Sequence, residues 1–284
     1  MIFIFLTILF SSLIFVAFKL FPRFKIDNFQ ALTINYLAAS TIGIIILGSE
    51  FNYEMIITKS WLPFSLLIGF VFIFTFILFA LSSQKAGVAI TAVFSKMSVI
   101  IPVIAGIFLY SEKLNALIVL GIISTFSAFI LIFYKRGKNK IQISIIVLPI
   151  IIFFANGLID TLLKYIEHYH IAGDYTLFLT MIFITALIIG SIISIYRYFK
   201  TKQAFTIQSI IGGTILGLFN YSTTYFMLLA MNLFESNVLF PLQNVGIVML
   251  SALLGIFFFR EKLSLTNWIG IFLSILAILL IALA

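Results

Sequence analysis

Cysteine is absent from this chain, which excludes disulfides, thiolate nucleophiles and cysteine-based metal sites. Only two histidines occur, so no metal ligand set is expected. Charge is just as scarce: 9% of the residues are Asp, Glu, Lys or Arg, against roughly 25% in a soluble domain. A chain so poor in charge has no means of covering itself against water, and lipid is its expected solvent. No Walker motif or other nucleotide signature is present, so neither a cofactor nor ATP-driven transport is expected. No nucleophile is paired with a base, which argues against an enzyme. The net charge of +8 could suggest nucleic acid, but the bases sit in short links between apolar runs, where they read as membrane orientation.

What the chain does contain is apolar length. Hydrophobic residues make up 63% of its 284 positions, 34 of them Phe. A helix crosses the roughly 30 Å hydrocarbon core in about 20 residues. Ten segments fit that rule, at about 2–20, 29–48, 61–83, 87–110, 115–134, 142–166, 174–196, 207–230, 236–259 and 265–284. Such long apolar runs without sustained alternation exclude a barrel. The expected fold is an all-α integral membrane protein with ten transmembrane helices and a multi-pass place in the cell membrane. The first segment has no basic region before it and no small-residue cleavage site, so it reads as a retained span rather than a signal peptide. Of the 17 Lys and Arg residues, thirteen fall on one side of this layout and three on the other, and Lys96 lies inside a span. The positive-inside rule then places the basic linker at 135–140 in the cytoplasm and both termini outside.

Two stretches repeat each other. GIFLYSEKLNALIVLGIIS at 106–124 matches GIFFFREKLSLTNWIGIFL at 255–273. At a constant offset of 149, Gly106, Glu112, Lys113 and Gly121 align with Gly255, Glu261, Lys262 and Gly270. A weaker match at an offset of 145 aligns Leu13, Ile14 and Lys19 with Leu158, Ile159 and Lys164. Ten spans divide into two five-helix repeats, residues 1–137 and 138–284. An odd number of helices per repeat makes the second copy enter the membrane from the opposite side. Inverted repeats of this kind build many secondary transporters.

At the repeated segment the chain resembles the ten-helix EamA-type members of the drug/metabolite transporter superfamily. The resemblance rests on a small-residue loop opening the fourth or ninth helix, a Pro within that helix, a Glu at its end and a Gly in the next. Here these are Pro102, Glu112 and Gly121 in one copy, and Pro241, Glu261 and Gly270 in the other. It implies export or import of small metabolites, often amino acids or other polar solutes, through a central cavity lined by both repeats. It also implies cytoplasmic termini, the reverse of the charge count.

Lys96 is the most informative single residue. A charge near the bilayer centre is costly and normally faces a cavity or a partner, so Lys96 reads as a substrate anchor or as half of a structural ion pair. Asp160 is the one acid well inside a predicted span. It reads as the partner of Lys96, as a site for a coupled proton or other ion, or as a surface pair with Lys164 at i+4. Asn237, Gln243 and Asn244 surround Pro241, and Asn220 and Tyr221 belong to a polar island in the eighth span. These are read as substrate-binding, with interhelical hydrogen bonding as the plainer alternative. Asn156 and the Asn35–Tyr36 pair are weaker candidates of the same kind. Pro102 and Pro241 are expected to flex their helices. Glu112 and Glu261 read as ion pairs or turn caps, Trp61 and Trp268 as interfacial anchors, and His168 and His170 as residues of a solvated loop.

The expected function is secondary transport of a small polar or anionic organic metabolite, amino-acid-like by preference, by alternating access. The carrier is expected to be a monomer or homodimer in the lipid bilayer. A lipid or lipid-precursor flippase of the same fold is the alternative.

Overall fold

The computed structural model describes residues 2–48, 51–52, 56–109, 115–133, 143–170, 174–231, 233–234 and 236–283. Glu112, Lys113 and the 135–140 linker lie outside them, as do the side chains of Glu167, His168 and Asn237. Within them every regular element is helical. In chain order the α-helices are α1 (Ile2–Leu20), α2 (Asn28–Leu47), α3 (Leu62–Lys85), α4 (Val88–Met97), α5 (Ile100–Leu109), α6 (Ala116–Phe133), α7 (Ile143–Tyr169), α8 (Tyr175–Thr201), α9 (Ile207–Met231), α10 (Ser236–Phe259) and α11 (Leu265–Ala282), with a short 3-10 helix at Phe21–Phe24. Taking α4 and α5 as two halves of one span, each expected segment is helical. Eight of the spans among the described residues are long and apolar enough to cross a membrane, and Ala116–Ile132 is a shorter apolar helix. The chain is therefore an all-α, multi-pass membrane protein.

The chain divides into two compact units. One comprises Met1–Lys19, Leu78–Asp160 and Thr223–Ala284, the other Leu20–Ile77 and Thr161–Ser222. Each draws segments from both halves of the sequence.

In the first unit α6 packs against α11. A Cβ on Gly121 would come within 2.7 Å of Ile281 and 3.4 Å of the Ala277 carbonyl; one on Gly270 would come within 2.6 Å of Ile132 and 3.2 Å of the Ala128 carbonyl. The start of each helix thus meets the end of the other, and the pair is antiparallel. Each contact is the other's image, because Gly121, Ala128 and Ile132 lie 149 positions before Gly270, Ala277 and Ile281. Asn267 completes the seam, its Nδ2 donating to the Ile132 carbonyl at 2.6 Å.

The second unit repeats this pattern with different residues. Gly43 of α2 faces Thr180 of α8, while Gly190 of α8 faces Thr33 of α2; both equivalences are 147 positions apart. Gly69 of α3 lies against the Ile182 carbonyl and Thr185, and Gly217 of α9 lies against the Asn35 carbonyl and Ala38. Without a hydrophobic driving force between helices in lipid, small residues that admit a neighbouring backbone are what hold such seams together. An added methyl would stand 2.8 Å from the Ile182 oxygen at Gly69 and 2.6 Å from the Asn35 oxygen at Gly217, where the obstacle is backbone and does not yield. Gly69→Ala and Gly217→Ala are each expected to cost about 1–3 kcal/mol. Gly190→Ala, whose nearest neighbours are side-chain atoms at 3.1 Å, should cost less; thermal unfolding in detergent orders the three.

Ion pairs mark both ends of the second unit. Asp27 caps α2, accepting from the Phe29 and Gln30 amides at 3.0 Å, and forms a two-pronged pair with Arg197 at 2.8 and 2.9 Å. Partial burial would raise the Asp27 pKa, but the Arg197 and backbone hydrogen bonds outweigh it and hold the carboxyl below its ordinary 3.8. A depressed folded value means this contribution is complete above the ordinary carboxylate pKa and is lost as pH falls through the folded one. Asp27→Asn should therefore flatten the acid limb of the stability profile, as read by unfolding midpoints at successive pH values.

At the other end Lys59 lies 2.6 Å from Asp174, which lowers the Asp174 pKa. Trp61 is a correction. It is 1% exposed, donates to Asp174 at 3.4 Å and meets Phe178 edge-on. Its indole N–H found an acceptor in the partly exposed Asp174, so the ring packs inside the unit instead of anchoring at the lipid interface. Trp268 is 44% exposed, as an interfacial residue would be.

Candidate functional site

The span formed by α4 and α5 is interrupted at Ser98 and Val99. Pro102 explains the position of the break. Its nitrogen carries no hydrogen for the Ser98 carbonyl four residues earlier, and its ring crowds that oxygen. The Ser98 carbonyl instead accepts from the Ile101 amide at 2.9 Å, a tighter i+3 bond. Pro241 acts differently, since α10 runs through it without interruption.

On one face of the broken span Val93, Phe94, Met97 and Ile100 are buried in an apolar cluster. Phe94 stacks on Phe129 with centroids 4.4 Å apart, and Phe129 meets Phe153 of α7 edge-on at 4.9 Å. That packing fixes α4 against α6 and α7 and turns Ser95 toward α7. Asn156 donates to the Ser95 hydroxyl at 2.7 Å and to its carbonyl at 3.3 Å. One turn further along α7, Asp160 lies 3.5 Å from the Ser98 hydroxyl. Gly157 admits this approach, because any side chain there would collide with Ile101 just past the break.

The two residues are thus matched to the two ends of the interruption. An amide donor stands at the carbonyl end of α4 and an acceptor stands where α5 begins, the polarities that loose helix ends require. Asn156 was the weaker sequence candidate; its signal was its i, i+4 spacing to Asp160. Lys96 sits in the last turn of α4, half-buried, and its charge acts directly on that of Asp160. Among the described residues, these two are the charges well inside the spans of the first unit.

The other predicted residues are placed as follows. Gln243 is buried and Asn244 half-buried, both on α10 in the first unit. Asn220 and Tyr221 belong to the second unit. Asn220 is buried and donates to Asn35 at 3.3 Å, and Tyr221 is half-buried. Tyr36, fully buried, packs against Phe76 and Phe183. His170 approaches Ser60 at 3.1 Å and packs on Phe64 and Tyr165. No cluster of three metal-ligating side chains occurs among the described residues.

A second polar constellation centres on Glu261. The Glu261 carboxylate accepts from the Val88 amide at 2.9 Å and the Ala89 amide at 3.4 Å. It therefore caps α4, whose own N-cap residue, Gly87, has no side chain to do so. Lys19 lies 3.6 Å from the same carboxylate, and its Nζ also donates to the Gln84 carbonyl at 3.3 Å. Gly87 has a φ of +104°, and a Cβ at Gly87 or Gly255 would stand 2.8 or 2.6 Å from the Glu261 oxygens. The expected ion pair and cap at Glu261 are both present, with Lys19 as the partner instead of the adjacent Lys262.

A family model described as "Sugar transport protein" matches residues 2–134. An uncharacterized protein of Haemophilus influenzae (strain ATCC 51907 / DSM 11121 / KW20 / Rd) is 26% identical over 257 residues, covering 88% of this chain and 86% of its own. A solved crystal structure of a protein with 13% identity matches with a TM-score of 0.64 over 98% of this chain and 94% of that one, a likeness of fold alone. The family match supports a membrane transporter of small solutes.

Proposed function

We propose that this chain is a secondary transporter of the EamA type, carrying a small polar or anionic organic metabolite across the cell membrane by alternating access. It catalyses no covalent chemistry. The observation that carries the reading is the charge pair at an interrupted helix. Lys96 and Asp160 lie beside a break in a membrane span, and interrupted helices near the midplane are where secondary transporters hold solute and coupling ion. Lys96 anchors a carboxylate or other anionic group of the solute. Gln243 and Asn244, polar side chains of α10 in the same unit, are its candidate orienting groups, with Asn237 as a third.

The inverted repeat is part of the same proposal. Gly121 and Gly270, Gly43 and Gly190, and Gly69 and Gly217 make contacts that exchange under a shift of 147–149 positions. Where the two partners are copies of one helix, as in α6–α11 and α2–α8, they run antiparallel, as copies of opposite membrane topology would.

The family match favours a second reading for the cargo, a neutral sugar, which amides and hydroxyls would hold without help from a charge. Thermal unfolding of the purified protein with gluconate, alanine and glucose separates the two. Stabilisation by gluconate or alanine in the wild type but not in Lys96→Ala supports the anchored, charged solute. Stabilisation by glucose alone, equal in both proteins, supports the neutral one and removes Lys96 from the site.

A further inference from the structure

We propose that Asp160 is the proton-binding site of the carrier, and that a monoanionic solute held at Lys96 crosses the membrane together with one proton. The inference rests on the transporter reading above and adds its coupling ion.

The argument is one of charge balance. In the first unit Lys96 and Asp160 are the charges well inside the spans among the described residues, and together they sum to zero. Lys96 supplies the charge that acts on Asp160, and Ser98 touches its carboxylate. From its own helix Asn156 lies one turn before it, and Lys164 lies one turn after, at the end of the span, where its charge reaches the interface. A monoanion arriving at Lys96 brings that ammonium a second negative partner and leaves the site one charge negative. An uncompensated charge within a span is costly, and the carboxylate has one way to remove it: taking up a proton. The loaded site, with ammonium, monoanion and protonated Asp160, is again neutral. Asp160 is not enclosed by neighbouring side chains on its face of α7.

The hydrogen bonds at the break allow for both states of Asp160. The Ser98 hydroxyl donates to the Ser95 carbonyl at 2.7 Å, and the Asn156 amide holds Ser95 without help from the acid. Protonating Asp160 therefore weakens at most one long contact and leaves the stitch across the break in place. The position 149 residues after Lys96 holds Val245, so the charge is not repeated there.

The test uses the full-length protein in proteoliposomes with an entrapped pH indicator and gluconate as the probe anion. Wild type should acidify the lumen as gluconate enters, at a rate insensitive to membrane potential. Asp160→Asn should still exchange labelled for unlabelled gluconate, but without acidification and with net uptake that follows the potential. Asp160→Glu, which keeps a carboxyl, should restore acidification. Gluconate uptake without acidification, or equal acidification by Asp160→Asn, overturns the proton site and leaves the transporter reading standing. If gluconate, alanine and glucose are all refused by the wild type, the transporter reading itself falls. Infrared difference spectra of the empty protein give an arm independent of cargo. A carboxyl band that appears on acidification and is missing from Asp160→Asn is expected; spectra unchanged by the substitution would contradict the proposal.

Discussion

Lys96→Met abolishes uptake, and the loss is one of function before it is one of folding. Removing one of two opposite charges in the same region of the spans strands the other, at a cost of about 2.5–3.5 kcal/mol if it must stay charged. Asp160 has an escape, because a carboxyl that loses its counter-charge takes a proton and becomes neutral. Lys96→Met should therefore insert and purify, with a lower unfolding temperature at alkaline pH than at mildly acidic pH. Adding Asp160→Asn should recover that stability at all pH values, since no charge is then left in the span. It should not recover transport, because the anchor is gone. Rates should fall at least about 100-fold, the equivalent of about 2.7 kcal/mol. Uptake by Lys96→Met within a few-fold of wild type would show that the ammonium balances charge and holds no cargo.

Glu261→Ala is the second large effect, and it acts through the helix that carries Lys96. The carboxylate accepts two amides at the start of α4 and faces Lys19. Deleting it leaves the Val88 and Ala89 amides without an acceptor, opens the space kept by Gly87 and Gly255 and separates Lys19 from its counter-charge. A lost helix cap alone costs about 0.5–2 kcal/mol. An anion at a partly buried helix N-terminus adds up to about 2 kcal/mol. Glu261→Gln keeps an acceptor oxygen but not the charge, so its loss should be roughly half that of Glu261→Ala. Urea or thermal unfolding of the three proteins reads this order. Equal losses for Ala and Gln would mean the ion pair dominates and the cap contributes little.

Most of the fold was legible because lipid imposes a length on every apolar run. The ten expected segments and the observed helices differ by a few residues at their ends, as at α7 and α8, which continue to Tyr169 and Thr201 into the polar ends that hydropathy discounts. The break at Ser98 was foreshadowed only by Pro102. The sequence alone does not say which prolines interrupt a helix, as Pro241 demonstrates by leaving α10 whole. Lys96 and Asp160 stood out because charges are rare in these spans, and their pairing was one of three open readings.

What stayed hidden depends on contacts distant in the chain. The cap on α4 comes from a carboxylate 173 positions away. Gly87 signalled only that a side chain was missing there. The glycine pairs at 147 and 148 positions were invisible in a background of Ile, Leu and Phe, since one shared glycine carries no weight until its contacts are known. Trp61 went the other way: an aromatic at the start of a span has two destinations, and the acceptor that drew it inward, Asp174, lies 113 positions along the chain.

The most direct measurement is accelerated exchange. Proteoliposomes are loaded with unlabelled gluconate or left empty, and entry of labelled gluconate is timed. A carrier that exposes one site alternately to each side returns faster when loaded, so internal gluconate should speed the entry of label in the wild type and have no effect with Lys96→Met. Entry that neither saturates nor responds to internal gluconate would contradict an alternating site at Lys96.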